Sequence, residues 1–286
     1  MSLLKNQYKQ LTIKVKEIIS IFSFIWNHPS NKGRKIQQIL IAIKFQSLAR
    51  VAHYRPQAKV GSNAKIWVDL HRTAASKALY ANPPDWPEMG VWQKILERGD
   101  LFIDVGANIG TYSVLAASLG AQVIAIEPAD DTFELLKENI ELNNFKNVTL
   151  VKAVAVDHEG EVNFTEGLDS VNHIDPESPK TVTGITLDSL IGSSTVKGIK
   201  IDVEGFELKV LQGATKALGD KRIGLIQLEW NDASMSAVGT DRVPVKNFLK
   251  TYGYEIYRAD TSVNLYLDVN PLGIRDVFAA PIVKST

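Results

Sequence analysis

From residue 100 onward, short apolar runs alternate with amphipathic stretches. "LFIDV" (101–105), "QVIAIE" (122–127), "VTLVKAVAV" (148–156), "GIKIDV" (198–203) and "IGLIQLEW" (223–230) have the length and texture of buried strands. Between them, residues 111–118, "DDTFELLKENIELNN" (130–144), "ELKVLQGA" (207–214) and "VPVKNFLKTYG" (243–253) read as helices, with Asp130 as a candidate N-cap. "GEVNFTE" (160–166) and "KTVTGITL" (180–187) read as shorter strands around a loop. "YEIYRA" (254–259) and "NLYLDV" (264–269) read as a terminal antiparallel pair. Strands spaced by helices predict an α/β fold around a mostly parallel sheet.

The first part of the chain follows another pattern. Residues 3–26 read as helical, with a break at "NHPSNKG" (27–33). Residues 34–52 place Ile36, Ile39, Leu40, Ile43 and Leu48 near one helical stripe. Packing of that stripe on the protein's own body is the default; pairing with a second copy and lying on lipid are the alternatives. "AKIWVDL" (64–70) reads as a short strand, "HRTAASKALYANPPDWPEMG" (71–90) contains a helix and a Pro-rich turn, and "EMGVWQKILERG" (88–99) reads as a helix ended by Gly99. The expected division is a mainly helical extension over 1–85, acting as a lid or oligomerisation region, and an α/β domain over 86–286.

Composition narrows this picture. Of 286 residues, 45 % are apolar and 22 % charged, which suits a soluble globular chain. The absence of cysteine excludes disulfides, thiolate catalysis and Cys-ligated zinc, and fits a cytoplasmic protein. The apolar run "IISIFSFIW" (18–26) falls short of the roughly 20 residues a membrane span needs. Net charge is zero, which gives no nucleic-acid footprint. The charge is segregated, however. Residues 1–50 hold nine Lys/Arg and one acidic residue, Glu17, whereas the remainder holds 23 basic and 31 acidic residues. A basic arm on an acidic body is the plain reading; contact with an anionic membrane or an acidic partner is the functional one.

The chemistry begins in "GDLFIDVGANIGTYSVLAA" (99–117), a strand, a glycine turn and a helix. Gly106 and Gly110 let a ligand approach the backbone, and in such sheets ligands lie beyond the carboxyl ends of the strands. Glu127, ending the next strand, is placed for a ribose diol, as in dinucleotide sites. Asn108 stands where the dinucleotide fingerprint needs its second glycine, and Asp104 would repel a pyrophosphate. Asp104 suits instead the ammonium of an amino-acid-bearing cofactor. S-adenosylmethionine (SAM) satisfies both ends, whereas a nicotinamide oxidoreductase and a non-catalytic SAM-fold binding module are the rivals.

A second block, "TLDSL" (186–190) with "IKIDVEGFELKVLQGA" (199–214), follows "DVGANIG" and "IEP". Together these resemble the FkbM-like family of class I SAM-dependent methyltransferases over roughly residues 85–270. The resemblance implies a Rossmann-like fold with a seven-stranded, mostly parallel sheet. It also implies O-methylation of a hydroxyl on a sugar, glycolipid, polyketide or related small or lipid-linked metabolite. It assigns Asp104, Gly106, Asn108 and Gly110 to the methionine and ribose side, Glu127 to the ribose hydroxyls, and Ala153 and Val154 to the adenine wall, with Ile126 beside them. Asp202 and Glu204 would face the transferred methyl.

Other residues are read from the pattern. Tyr112 follows the turn and is placed to touch the methionine tail or the acceptor. Glu229 ends the next strand, where it holds the acceptor or a base; Trp230 is substrate wall or core. Glu204 is catalytic or caps a helix. Asp202, Glu229 and Asp232 together offer oxygen ligands for Mg²⁺. His173, in the polar loop "EGLDSVNHIDPESP" (166–179), is a general base or simply exposed. A homodimer through the N-terminal arm is a further expectation.

Overall fold

The computed structural model describes residues 16–52, 54–70, 72–165, 174–175, 177–230, 242–268, 271 and 275–282. Its centre is an eight-stranded sheet. Strands β3 (Leu101–Val105), β4 (Gln122–Ile126), β5 (Val148–Val151), β9 (Val196–Ile201) and β10 (Ile223–Glu229) run parallel in the order β10-β9-β3-β4-β5. Beyond β10 lie β13 (Asp276–Pro281), β11 (Tyr254–Ala259) and β12 (Leu265–Leu267). The seven expected strands thus become eight, because β13, which was not among them, joins the sheet.

The expected β11–β12 pair is antiparallel, with Tyr257 opposite Leu267. β13 inserts between β11 and β10, antiparallel to both. Its direction matters: the start of β13 lies at the same sheet edge as the ends of the parallel strands, with Asp276 opposite Glu229. The run "VTLVKAVAV" divides in two. Its second half, β6 (Val154–Ala155), joins a separate three-stranded sheet with β7 (Gly160–Asn163) and β8 (Thr181–Ile185).

Alternation along the strands feeds two cores. Phe102, Val123 and Phe278 pack with Trp92 of helix α4 (Glu88–Ile95) and Val114 and Leu115 of α5 (Thr111–Ser118) on one face. Ile103, Ile199 and Ile226 pack with Val210, Leu211 and Leu249 on the other. Asp130 is the first residue of helix α6 (Asp130–Leu142), not its cap; Ala129 holds the cap position. The Asp130 carboxylate instead pairs with Lys152 and Lys180, which hold its pKa down at about 2.

The N-terminal part shares the first core. Helix α1 (residues 16–27) and α2 (Lys35–Ala52) bury Ile25, Ala42 and Phe45 in one apolar cluster with the α/β body. The hairpin β1 (Gln57–Val60) and β2 (Ala64–Trp67), and helix α3 (Thr73–Tyr80), complete this part. The stripe of α2 does not pack as expected. Gln38, Ala42 and Phe45 face inward, whereas Ile36, Leu40, Ile43 and Leu48 are exposed. Ile39, partly buried, lies against the core.

Candidate active site

The turn after β3 is built by close approach. Gly106 has φ +72°, and a Cβ there would lie 2.0 Å from the Asp202 carbonyl oxygen. Gly110 has φ +86°, and a Cβ would lie 2.4 Å from Leu136 Cδ1. Neither position admits a side chain. Asn108 adopts φ +52°, and its side-chain oxygen accepts from Ile109 N–H at 2.8 Å, a local bond that makes asparagine suit this position. The amides of Gly106 and Ala107 donate to Ile126 O, which ties the turn to β4.

Glu127 anchors the turn from the other side. Its carboxylate accepts from Asn108 N–H at 2.8 Å, Ala129 N–H at 3.0 Å and Thr132 Oγ1–H at 2.8 Å. Burial raises its pKa, against the lowering effect of these donors. A carboxylate has about four lone-pair sites, so one remains for a ligand.

Beside this turn lies a cavity of about 300 Å³. One end is walled by Gly106, Asn108, Glu127, Ile126, Ala153 and Val154. This end collects most of the residues expected to hold the cofactor. Asp104 and Gly110 do not line it. Asp104 stands behind the wall, one oxygen accepting from Ser113 Oγ at 2.6 Å and the other buried without a partner. Burial raises its pKa, opposed by Lys200.

Thr111, at the first position of α5, was not expected from the sequence. It lines the cavity, and its buried hydroxyl has no hydrogen-bond partner in the protein. Its position beside the glycine turn was its only signal. The glycine cradle, the α5 N-terminus and the unpartnered hydroxyl of Thr111 fit the carboxylate of a ligand.

The other end is charged. It is walled by Lys77, Asp85, Asp202, Glu204, Glu229 and Arg275. Carboxylate oxygens of Asp202, Glu204 and Glu229 lie within 4.8 Å of one another, so three of the four expected catalytic residues meet. His173, the fourth, and Asp232 lie outside the described residues. Trp230 is buried in the second core.

Lys200, within the apolar run of β9, is the hidden member. Its ammonium is buried, pairs with Asp202 at 2.9 Å and lies 4.7 Å from the centre of the Tyr112 ring. Burial opposes both charges. The pairing nevertheless raises the pKa of Lys200, and Lys200, with Arg275 and Lys77 beyond it, keeps that of Asp202 below its usual value. Tyr112 is buried and lines the cavity, its hydroxyl accepting from Gln227 Nε2 at 3.1 Å. Arg275 pairs with Asp85 at 2.9 Å. Among the described residues Lys77 makes no ion pair, and burial and the nearby Arg275 depress its pKa.

A family model described as "Methyltransferase FkbM domain" matches residues 104–256. The chain is 33 % identical over 198 residues to the hexuronic acid methyltransferase AglP of Haloferax volcanii, covering 65 % of this chain and 76 % of AglP. A solved METTL16 MTase domain superposes with a TM-score of 0.44 at 17 % identity, over 85 % of this chain and 80 % of that one. TYW2 of M. jannaschii in complex with AdoMet gives 0.42 at 14 %, over 79 % and 84 %. The match begins at Asp104, in the turn that displaced the oxidoreductase reading, and runs through the "IKIDVEGFE" block. This chain belongs to the FkbM family of SAM-dependent methyltransferases.

Proposed function

We propose that the enzyme methylates an oxygen, in the first instance a hydroxyl, of an anionic sugar of the hexuronic acid type. The observation that carries this reading is the charged end of the cavity. Lys77 and Arg275 line the same cavity as the clustered Asp202, Glu204 and Glu229 carboxylates, near enough to help hold the pKa of Asp202 down. Cations of this kind suit the carboxylate of a sugar acid, while the carboxylates accept from its hydroxyls. A site for a polyketide or another apolar acceptor would need a broader apolar wall. The similarity to a hexuronic acid methyltransferase supports the same class.

Bound SAM supplies a methyl group on a sulfonium. In this reading Gly106, Asn108 and Glu127 hold its ribose and methionine side, and Ile126, Ala153 and Val154 its base. Thr111 would take the carboxylate of its amino-acid tail and Tyr112 would lie against that tail, with Asp104 behind them. At the other end, Asp202 is kept charged by Lys200 and orients the acceptor hydroxyl by accepting its hydrogen bond. Glu204 or Glu229 would take the hydroxyl proton as the acceptor oxygen receives the methyl group. His173 is the alternative base, and an unchanged turnover in His173→Ala would remove it. The three clustered carboxylates also have the oxygen chemistry that Mg²⁺ takes. A chelator that stops turnover without releasing SAM would bring that ion into the reading.

The test compares turnover on a uronic acid glycoside with turnover on the matching neutral glycoside. We expect the uronic acid to be preferred. Lys77→Met should raise its KM by about tenfold, the worth of one charge-assisted hydrogen bond, and leave SAM affinity unchanged. Equal turnover on both glycosides, in wild type and variant alike, would overturn the sugar-acid assignment.

A further inference from the structure

Helices α1 and α2 carry large apolar side chains that the body leaves uncovered. On α1, Ile18 is 65 % and Phe22 49 % exposed, with Ile19 and Trp26 beside them on one stripe. On α2, Ile36 is 71 %, Leu40 61 % and Ile43 57 % exposed, and Val51 continues the row. The inward face of α2, with Gln38, Ala42 and Phe45, lies on the opposite side of the helix. The two rows adjoin where Lys35 Nζ lies over the Trp26 ring, 4.9 Å from its centre. Phe22 and Trp26 stack with ring centroids 5.6 Å apart.

Charge around these rows has one sign. Lys16, Lys32, Arg34, Lys35, Lys44 and Arg50 lie on the two helices and their connection, with Glu17 the one acidic residue there. By helical spacing, Lys44 and Arg50 flank the α2 row on either side. We propose that α1 and α2 form a docking surface for an anionic lipid membrane, lying in the plane of its interface. An apolar stripe with Phe and Trp, bordered by Lys and Arg, has the composition of interfacial helices. No helix among the described residues is long and apolar enough to cross a membrane. Two copies joined through this face would set the same cations against each other, because a two-fold interface pairs a patch with itself. Anionic headgroups complement them. The proposal is independent of the acceptor's identity.

The test is co-sedimentation of the full chain with vesicles of equimolar phosphatidylglycerol and phosphatidylcholine, against phosphatidylcholine alone. We expect binding to the anionic vesicles, weakened by salt and much weaker on neutral ones. The double variant Leu40→Glu/Ile43→Glu should reduce binding by about tenfold or more, with thermal stability and SAM affinity retained. Ile18→Ser/Phe22→Ser provides an independent pair on α1 should the first fold poorly. Wild-type protein that stays in the supernatant with anionic vesicles overturns the proposal. So do folded variants of both pairs that bind as well as wild type. A wild-type dimer that these substitutions dissociate, with vesicle binding unchanged, assigns the face to a second copy instead.

Discussion

Lys200 lies within a buried strand, where an ammonium is costly unless paired. Its partner Asp202, two residues on, points to the same side of the chain and supplies the counter-charge at 2.9 Å. Removing one member of such a pair leaves the other buried and alone. Across the sheet edge, Asp276 is the carboxyl with the opposite tendency. Burial pushes its pKa up to about 7, against the lowering effect of Arg275 and with Glu88, Asp202 and Asp85 reinforcing the rise. A carboxyl whose folded pKa is raised favours the fold while protonated. That contribution is complete below the unfolded value and is lost as pH rises through about 7. Thermal melts should therefore show stability falling across this range, and Asp276→Asn should flatten the fall. An equally steep fall in the variant would assign it to another group. Gly106 and Asn108 were legible because their backbone demands are local. Lys200 was not, because a lysine in an apolar run gives no indication of its counter-charge.

At the scale of elements, helix α4 shows how the sheet holds its neighbours. Trp92 buries its ring between Phe102 and Phe278, at centroid distances of 5.0 and 5.9 Å. Its indole N–H donates to Gln227 Oε1 on β10, and the same glutamine donates to the Tyr112 hydroxyl. One buried side chain thus joins α4, the central sheet and the cavity wall. Gln227→Met keeps the volume but leaves the indole donor unpaired. We expect a loss of about 1–3 kcal/mol in chemical denaturation, together with weaker methyl-transfer activity. A variant as stable as wild type would show that the indole finds another acceptor. Element type along the α/β part was legible from periodicity. The position of β13 was not, since insertion between β10 and β11 depends on pairing with distant strands. The two-sided character of α2 was hidden for a related reason. Periodicity identifies an apolar stripe, but not whether the body covers it.

Over the whole molecule, the N-terminal part and the α/β body are joined by apolar packing and by polar contacts. Trp67 N–H donates to Asn139 Oδ1 of α6 at 2.8 Å and Arg55 pairs with Glu138 at 2.8 Å, while within the extension His28 Nε2 lies 3.2 Å from Pro84 O. Pro84 and Asp85 are cavity residues, so this extension supports the acceptor end of the site. Removing residues 1–55 would uncover the core around Tyr80 that Ile25 and Phe45 now fill. We expect a melting temperature lower by at least several degrees in calorimetry. A truncated protein that melts like the full chain would show that residues 1–55 add nothing to the stability of the rest.

The sequence by itself determined the class of fold, the cofactor turn and the family, because each of these rests on spacing within a few tens of residues. Strand-length runs, the "DVGANIG" turn, the carboxylate after β4 and the "IKIDVEGFE" block are local signals of local geometry. The tertiary structure decided which charges meet. Lys77 from the extension, Lys200 and Asp202 from β9, Glu229 from β10 and Arg275 before β13 converge at one edge. They do so because parallel strands end there and an antiparallel one begins there. It also decided which apolar rows face solvent, since burial belongs to the packed body and not to any one helix.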